Sequence, residues 1–291
     1  MSSNQGLLYV VATPIGNLGD ITLRAQQTLS EVDFIAAEDT RRTRPLLNHL
    51  GISKPLIALH EHNERERSES LLDRIMEGED MALVSDAGTP LISDPGYHLV
   101  KQARQRGIQV VPIPGVSALV TALSVSGLPT DHFRFEGFLP HKSSARKKTL
   151  QSLAQESVTL VFYESSHRIM AAVDDMCEVF GEQRESILAR ELTKLYETVL
   201  GETLGDIRAA LAVDANQSRG EFVVIIKGLD AEEVSAEAAR SDELIALLLA
   251  EMPLKSVSRV VSQYMGLAKN DIYQRALQIQ KDKDLGDADR D

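Results

Sequence analysis

Between Leu7 and Gly115 the chain switches repeatedly between short apolar runs and longer amphipathic stretches, and this alternation restricts the fold more than any other feature. LLYVVAT, DFIAAED, PLIALH, MALVSD and IQVVPIPG read as strands. Between them lie ITLRAQQTLSEV, RRTRPLLNHLG, ERERSESLLDRIMEG and GYHLVKQARQRG, which read as helices. Leu23, Ala25 and Leu29 are expected as inward positions of the first helix, and Leu71, Leu72 and Ile75 lie on one side of the third. Gly51, Gly78 and Gly107 stand where helix C-terminal caps belong. Strand–helix alternation of this kind predicts an α/β protein with a largely parallel sheet covered on both faces.

The later chain is more mixed. PGVSALVTALSVSGLP predicts a small-residue helix closing at Gly127 and Pro129. FRFEGFLP alternates like an antiparallel strand, and TLVFYES, SILAREL, LYETVLGET and EFVVIIKG read as further strands. Helices are expected around 143–155, 167–180 and 203–213. DAEEVSAEAARSD (230–242) is acidic and Ala-rich with no apolar face, which reads as a solvated linker. After it, Ser241 is placed to cap a helix carrying Leu244, Leu247 and Leu248. Val257, Val260, Val261 and Tyr264 repeat at helical spacing. Beyond a turn at Gly266-Leu267, Asn270 caps a third helix with Ile272, Ala276 and Ile279. Helix, glycine turn, helix is the outline of a helix-turn-helix, and KDKDLGDADRD is expected to fray. The expected domains are 1–118 and 119–230, both α/β, and a helical unit at 241–281.

Composition narrows the chemistry. With 291 residues, 43% hydrophobic and 25% charged, the chain is ordinary soluble material. Its one cysteine, Cys177, excludes a disulfide framework and a thiolate zinc site and fits a reducing cytoplasm. The start, MSSNQGLLYVVATPIGN, has no basic lead, and its apolar run before Pro14 is too short for a signal or membrane span. A net charge of −12 argues against non-specific nucleic-acid binding, so any RNA contact has to be gathered locally.

Three loops are singled out at strand ends: Pro14–Asp20, Asp86–Gly96 and Pro114–Ala118. In a parallel sheet such loops collect on one edge and form a crevice. There is no G-x-G and no Gly-Lys-Ser/Thr in the chain, so neither a dinucleotide fingerprint nor a P-loop is available. Backbone groups and small hydroxyls dominate the loops, which suits an adenosine-like ligand without a triphosphate. His60-Glu61-His62 lacks a third ligand, so no metal site is expected; these groups are expected to line a polar rim or bind substrate. Glu38-Asp39 with Arg41, Arg42 and Arg44 reads either as helix capping with solvated arginines or as phosphate contact. Tyr163–Arg168 and Arg190–Lys194 again place mixed charge directly after an apolar strand. The clearest basic cluster, Lys142, Arg146, Lys147 and Lys148, is read as an RNA or phosphate contact.

The motifs ATPIGNLGDIT, EDTR, HEHNE, SDAGTPLISDPG, PGVSA, FEGFLP, FYESSHR, ARELTK and RGEFV follow one another over residues 7–280. In this order they resemble the bacterial 2′-O-ribose methyltransferases of small-subunit ribosomal RNA, which modify a cytidine of the decoding region on a tetrapyrrole-methylase scaffold. Ala12 stands where that pattern carries proline or another residue before Thr13. The resemblance implies two α/β domains with S-adenosylmethionine in the cleft between them. It implies a lining of Pro14, Asp86, Ala87, Gly88, Ile92, Ser117, Ala118, Tyr163, Glu164 and Glu221. It also implies a cytoplasmic homodimer acting on small-subunit ribosomal RNA or the assembled subunit.

Arg41, Arg42, Arg44 and the 142–148 cluster, with Lys269 and Arg275 of the tail, are the expected RNA contacts. In-line methyl transfer needs positioned reactants and a base for the ribose hydroxyl. Glu61 or Glu191 is expected to assist, with Arg190 and Lys194 holding phosphates. Two rivals stand beside this: a tetrapyrrole or diphthamide-pathway methyltransferase on the same scaffold, and a non-catalytic helix-turn-helix nucleic-acid-binding protein. The 141–148 segment with Lys255, Lys269 and Arg275 favours RNA over the first, and the second leaves the crevice without a purpose. Whether the tail binds RNA or serves the dimer stays open.

Overall fold

The computed structural model of the chain describes residues 5–214, 216–265 and 269–288. Its first part holds β1 (Leu8–Val11), α1 (Leu23–Glu31), β2 (Phe34–Ala37), α2 (Thr40–His49), β3 (Leu56–Ala58), α3 (Glu64–Met76), β4 (Met81–Val84), α4 (Tyr97–Gln105), β5 (Val110–Ile113) and α5 (Ala118–Ser126). The five strands form one sheet in the order β3-β2-β4-β1-β5, paired in parallel, with Leu8 opposite Met81 and Val110. FIAA and MALV are buried at every position, as strands covered on both faces must be. Gly51, Gly78 and Gly107 all take positive φ at helix ends.

Crossovers between parallel strands are right-handed, so their direction decides which face each helix covers. α1 and α2 carry the chain outward toward β3, and α3 and α4 carry it back. The two cores agree. Leu29, Leu46 and Leu47 pack with Val11, Ile35 and Val84 on one face. Leu71, Ile75, Leu99 and Ala103 pack with Leu8, Phe34 and Met81 on the other.

The second part holds β6 (Phe133–Phe138), α6 (Ser143–Leu153), β7 (Thr159–Ser165), α7 (Ile169–Phe180), β8 (Ser186–Arg190), β9 (Thr198–Leu200), α8 (Leu204–Val213) and β10 (Glu221–Ile226), its sheet ordered β6-β7-β10-β8-β9. The first correction falls here. β6 runs parallel to β7, with a register shift between Phe135 and Gly137. Alternation reports which face is covered but carries no information on strand direction. By contacts the chain divides into two compact units. One takes in the chain up to Gly127 with Ala189–Val199 and Gly220–Val223; the other takes in Leu128–Leu188, Leu200–Arg219 and the chain from Val224 on.

The second correction concerns the tail, which comprises α9 (Ala231–Leu249), α10 (Leu254–Met265) and α11 (Lys269–Ala288). The expected linker is the start of α9: its alanines and glutamates are strong helix formers, and helix continues into the apolar Leu244-Ile245 run. Ser241 is therefore a buried residue within α9 and not its cap. Asn270 likewise lies inside the first turn of α11. Ile245, Val257, Val261, Ile272 and Ala276 form the core, with Leu244, Leu248 and Ile279 packed on it, while Leu247, Val260 and Tyr264 face solvent. The expected turn at Gly266-Leu267 and residues 289–291 of the expected frayed end lie outside the described residues. Residues 281–288 continue α11.

Candidate active site

The connections leaving β1 and β4, which are neighbours, run to opposite faces of the sheet, and this opens a crevice beyond their carboxyl ends. Thr13 and Gly88 pair across it, each N–H donating to the other's carbonyl at 2.9 and 3.0 Å. Gly88 holds φ +79°, and a Cβ there would lie 3.3 Å from Ile15 Cγ2. Thr89 Oγ1 donates to the Val116 carbonyl at 3.0 Å. Hydrogen bonds therefore tie the loops after β1, β4 and β5 to one another.

An open cavity of about 250 Å³ lies in this first unit. Thr13, Pro14, Ile15, Gly16 and Leu18 border it after β1; Ser85, Asp86 and Ala87 after β4; Arg42, Thr43, Pro45 and Leu46 from α2; and Lys194 and Glu221 complete it. Of the expected lining, Pro14, Asp86, Ala87 and Glu221 are brought together here. Ile92, Ser117 and Ala118 belong to the same loops but do not border the cavity. Tyr163 and Glu164 lie in the second unit. There Tyr163 packs edge-on against Phe135 and Phe138, centroids 4.8 and 5.8 Å away. Glu164 is buried beside Arg168, Nη2 3.2 Å from Oε2, and burial pushes its carboxyl up. Sequence reasoning missed Ser85, Thr43 and Leu46. Ser85 belongs to the SDAGTP motif, and the signal for Thr43 and Leu46 is the EDTR motif that opens α2, whose residues carry more than the charges read from it.

Carboxylates crowd the inner end. Asp86 accepts the Asp39 N–H at 2.9 Å and faces Arg42 Nε at 3.4 Å. Burial and the Asp86 charge push the Glu38 carboxyl up. Burial, then the charge of Glu38 and to a smaller extent that of Asp86, push Asp94 up to about 7, against a weaker opposing bond to Ser85. Asp39 caps α2, accepting from the Arg41 backbone at 2.9 Å. The Arg41 guanidinium, bonded to the same carboxyl, holds it at about 2, helped by that backbone bond. Arg41 is thus committed to Asp39, while Arg42 faces the cavity and Arg44 faces solvent.

The ARELTK segment supplies the other rim. Glu191 (φ 49°) and Thr193 (φ 67°) are left-handed, as are Leu91 and Ser93 in the 86–96 loop; these are the four such non-glycine residues among those described. Strain of this kind persists only where the surroundings enforce it, and it concentrates at functional loops. Lys194 Nζ lies 2.9 Å from Glu191 Oε1 and 2.8 Å from Glu221 Oε2, and Glu191 Oε1 also accepts the Glu221 N–H at 2.9 Å. Two glycines make room. A Cβ on Gly16 would lie 2.4 Å from Lys194 Cγ, and one on Gly220, at φ +111°, would lie 2.5 Å from Glu191 Cγ.

Burial opposes charge on both groups, but the pairing outweighs it. The bond from Lys194 and that from the Glu221 backbone hold the Glu191 carboxyl below its ordinary value. The two carboxylates hold the Lys194 ammonium above its own.

Other expected site residues lie elsewhere. Arg190 is only 7% exposed and donates from Nη1 to the Tyr196 carbonyl at 3.1 Å, so it braces the loop and presents no charge to a phosphate. Glu61 sits exposed in the turn after β3, an edge strand, away from the cavity lining. That strand ends at Ala58, and Asn63 closes the turn by accepting the His60 N–H at 2.9 Å.

The basic cluster also needs correcting. Arg146 is 3% exposed and pairs with Asp175 at 2.6 Å, with further bonds to the Pro140, His141 and Ala171 carbonyls. Helices α6 and α7 pack against each other there, which hydropathy alone cannot show. Lys147 pairs with Asp175 and Glu178, and Lys142 and Lys148 remain exposed. In the tail, Lys269 is exposed and Arg275 is bound to Asp242, Nε 2.6 Å from Oδ1.

The cavity therefore has two carboxylates, Asp86 and Glu221, with apolar contacts from Pro14, Ile15 and Leu46. Arg42 and Lys194 stand beside those carboxylates, so the lining carries both signs of charge and fits a ligand with charged groups and hydroxyls beside a flat ring.

Residues 7–208 match the family described as Tetrapyrrole (Corrin/Porphyrin) Methylases, and residues 235–280 match one described as RsmI C-terminal HTH domain. The chain is 51% identical to the Ribosomal RNA small subunit methyltransferase I of Haemophilus influenzae, over 95% of this chain and 98% of that one. It is 52% identical to the protein of the same name from Pseudomonas aeruginosa, over 94% and 98%. Among solved structures, diphthine synthase superposes with a TM-score of 0.60 at 16% identity, covering 81% of this chain and 95% of that one. The uroporphyrin-III-C-methyltransferase of Thermus thermophilus gives 0.54 at 21%, covering 77% and 94%. At such identities the likeness shows a shared fold.

Proposed function

Because this chain belongs to the tetrapyrrole methylase family, we propose that it uses S-adenosylmethionine to methylate small-subunit ribosomal RNA at the 2′-hydroxyl of a cytidine in the decoding region. The observation that carries the reading is the identity of about half, along nearly the whole chain, to proteins of that printed name. The cavity beyond β1 and β4 agrees with it.

The methyl donor, when bound, supplies an electrophilic methyl group. The chain's own residues do the rest. Pro14, Ala87 and the turn at Gly88 hold the adenosyl part by shape and backbone, and Asp86 offers an acceptor for hydroxyls. Ile92, Ser117 and Ala118 extend the same loops. Lys194, kept charged by its carboxylates, meets the incoming RNA backbone. Glu191 positions Lys194: its depressed pKa makes it a weak proton acceptor, and its bonds to Lys194 and to the Glu221 amide fix the rim. Glu191→Gln and Lys194→Ala are each expected to lower turnover about tenfold or more, with donor affinity, read by calorimetry, changed less. Normal turnover in both variants removes the rim from the mechanism.

The chain works as a homodimer in the cytoplasm, and no described helix is long and apolar enough to cross a membrane. Support for the dimer comes from the large apolar side chains left on the surface of the first unit, among them Val120 and Val125 of α5 and Leu195 beside Tyr196. Sedimentation velocity tests it.

The decisive experiment is mass mapping of small-subunit ribosomal RNA, naked and assembled, incubated with the protein and labelled S-adenosylmethionine. One labelled cytidine ribose is expected; label on a base, or none in RNA, overturns the reading.

A further inference from the structure

In a helix-turn-helix outline the second helix of the pair reads the nucleic acid, which for α10 and α11 is α11. That helix has little to offer. Ile272 and Ala276 are buried, Arg275 is held by Asp242, and Asp271 puts a negative charge in the first turn. The preceding helix is built differently. α10 buries Val257, Ser258 and Val261 and exposes its opposite half. On that half Lys255, Arg259 and Gln263 follow one another at intervals of four, each about 6 Å further along the axis. On the adjoining line stand Val260 and Tyr264, the tyrosine 81% exposed. Among the described residues no carboxylate forms an ion pair with Lys255 or Arg259. In a chain of net charge −12, two cations without counter-charges beside an uncovered aromatic ring form a local exception to an anion-repelling surface.

We propose that this face of α10, comprising Lys255, Arg259, Gln263 and Tyr264, binds single-stranded RNA. Lys255 and Arg259 meet successive backbone phosphates, Tyr264 stacks on an unpaired base, and Gln263 between them offers a donor and an acceptor to a base edge or ribose. Charge along the strand with an aromatic platform beside it is the recognition pattern of single-stranded nucleic acid. The identity of the partner rests on the ribosomal RNA reading above; the placement on α10 rests on the geometry.

The test uses the full chain and a fluorescent single-stranded oligonucleotide of small-subunit decoding-region sequence, with anisotropy titrations over a range of KCl concentrations. Lys255→Ala/Arg259→Ala is expected to weaken binding about tenfold at 0.1 M salt. It should also lower the slope of log affinity against log salt by about 1.4, since each phosphate contact on a single strand contributes about 0.7. Tyr264→Ala is expected to weaken binding at least fivefold and leave that slope alone. Arg275→Ala, whose charge is already paired, should leave the slope unchanged. All four positions are exposed, and calorimetry of the methyl donor confirms that the cavity is intact in each variant. Unchanged affinity and slope in the α10 variants, with wild-type binding and methylation normal, overturn the α10 assignment and leave the ribosomal RNA reading standing. A wild-type chain that neither binds nor methylates the RNA overturns that reading, and the partner proposed here with it. A dimer that dissociates in Tyr264→Ala identifies the face as a contact between copies of the chain and likewise overturns the proposal.

Discussion

Gly16 has room for a hydrogen and nothing larger. The methylene stem of Lys194 passes where its Cβ would be, 2.4 Å from Cγ, and the stem of a lysine can shift where a backbone could not. Gly16→Ala is therefore expected to fold normally and to displace the ammonium from its two carboxylates, lowering turnover about tenfold while donor affinity stays within about twofold. Steady-state kinetics with calorimetry check this, and a wild-type turnover removes Lys194 placement from the mechanism.

Asp94 gives a second test at the same scale. Its folded pKa of about 7 lies above the value of about 4 for an unfolded aspartate, so the fold favours the protonated form. That contribution is complete below about pH 4 and is lost as pH rises through 7. Asp94→Asn, which cannot ionise, should gain thermal stability relative to wild type as pH rises from about 4 to about 7, with the difference constant above that. A pH-independent difference in Tm would contradict the crowding of Asp94 with Glu38 and Asp86. The loop itself was legible in the sequence, but this coupling was not, because Glu38 lies far away in the chain and meets Asp94 only through the order of β2 and β4.

At the scale of elements, what could be read was what a single segment carries. β2 and β4 of the first sheet are apolar at every position because both faces are covered, and α2, α3 and α4 end at Gly51, Gly78 and Gly107, so the alternation named the elements in order. Properties shared between elements were not readable. The direction of β6 depends on its partner β7, and the helical start of α9 depends on its continuation into the apolar Leu244-Ile245 run. Arg146 is the sharpest case. Its neighbours Lys142, Lys147 and Lys148 make the segment look like a basic surface, yet Arg146 alone turns inward to pin α6 to α7 through Asp175. Arg146→Ala would leave the buried Asp175 carboxylate to Ser143 and the more distant Lys147, and the loss should fall near the lower end, about 3 kcal/mol, of the cost of breaking a buried pair. Urea denaturation should show that loss, with the salt dependence of RNA binding unchanged. A normal stability with a reduced salt slope would restore Arg146 to the RNA-contact set.

For the whole molecule, the division of labour follows from where its cores are drawn. The residues bordering the cavity all fall between Thr13 and Glu221. The core of the last three helices, Ile245, Val257, Val261, Ile272 and Ala276, takes its members, and the apolar side chains packed on it, from α9, α10, α11 and the turn joining the first two. Leu229 closes the chain before them with a bond from its N–H to the Glu156 carbonyl at 2.9 Å. A chain ending at Leu229 thus keeps both sheets and every cavity residue, and loses the Lys255–Tyr264 face. It should bind the methyl donor within about twofold of the full chain and unfold cooperatively. Its KM for RNA should rise at least tenfold, with kcat at saturating RNA less affected, because uniform binding has been removed and the groups at the cavity have not. Calorimetry of the donor and steady-state kinetics on the RNA separate these effects. If the shortened chain loses the donor, the cavity depends on the tail, and the separation of catalytic body from RNA-holding tail is wrong.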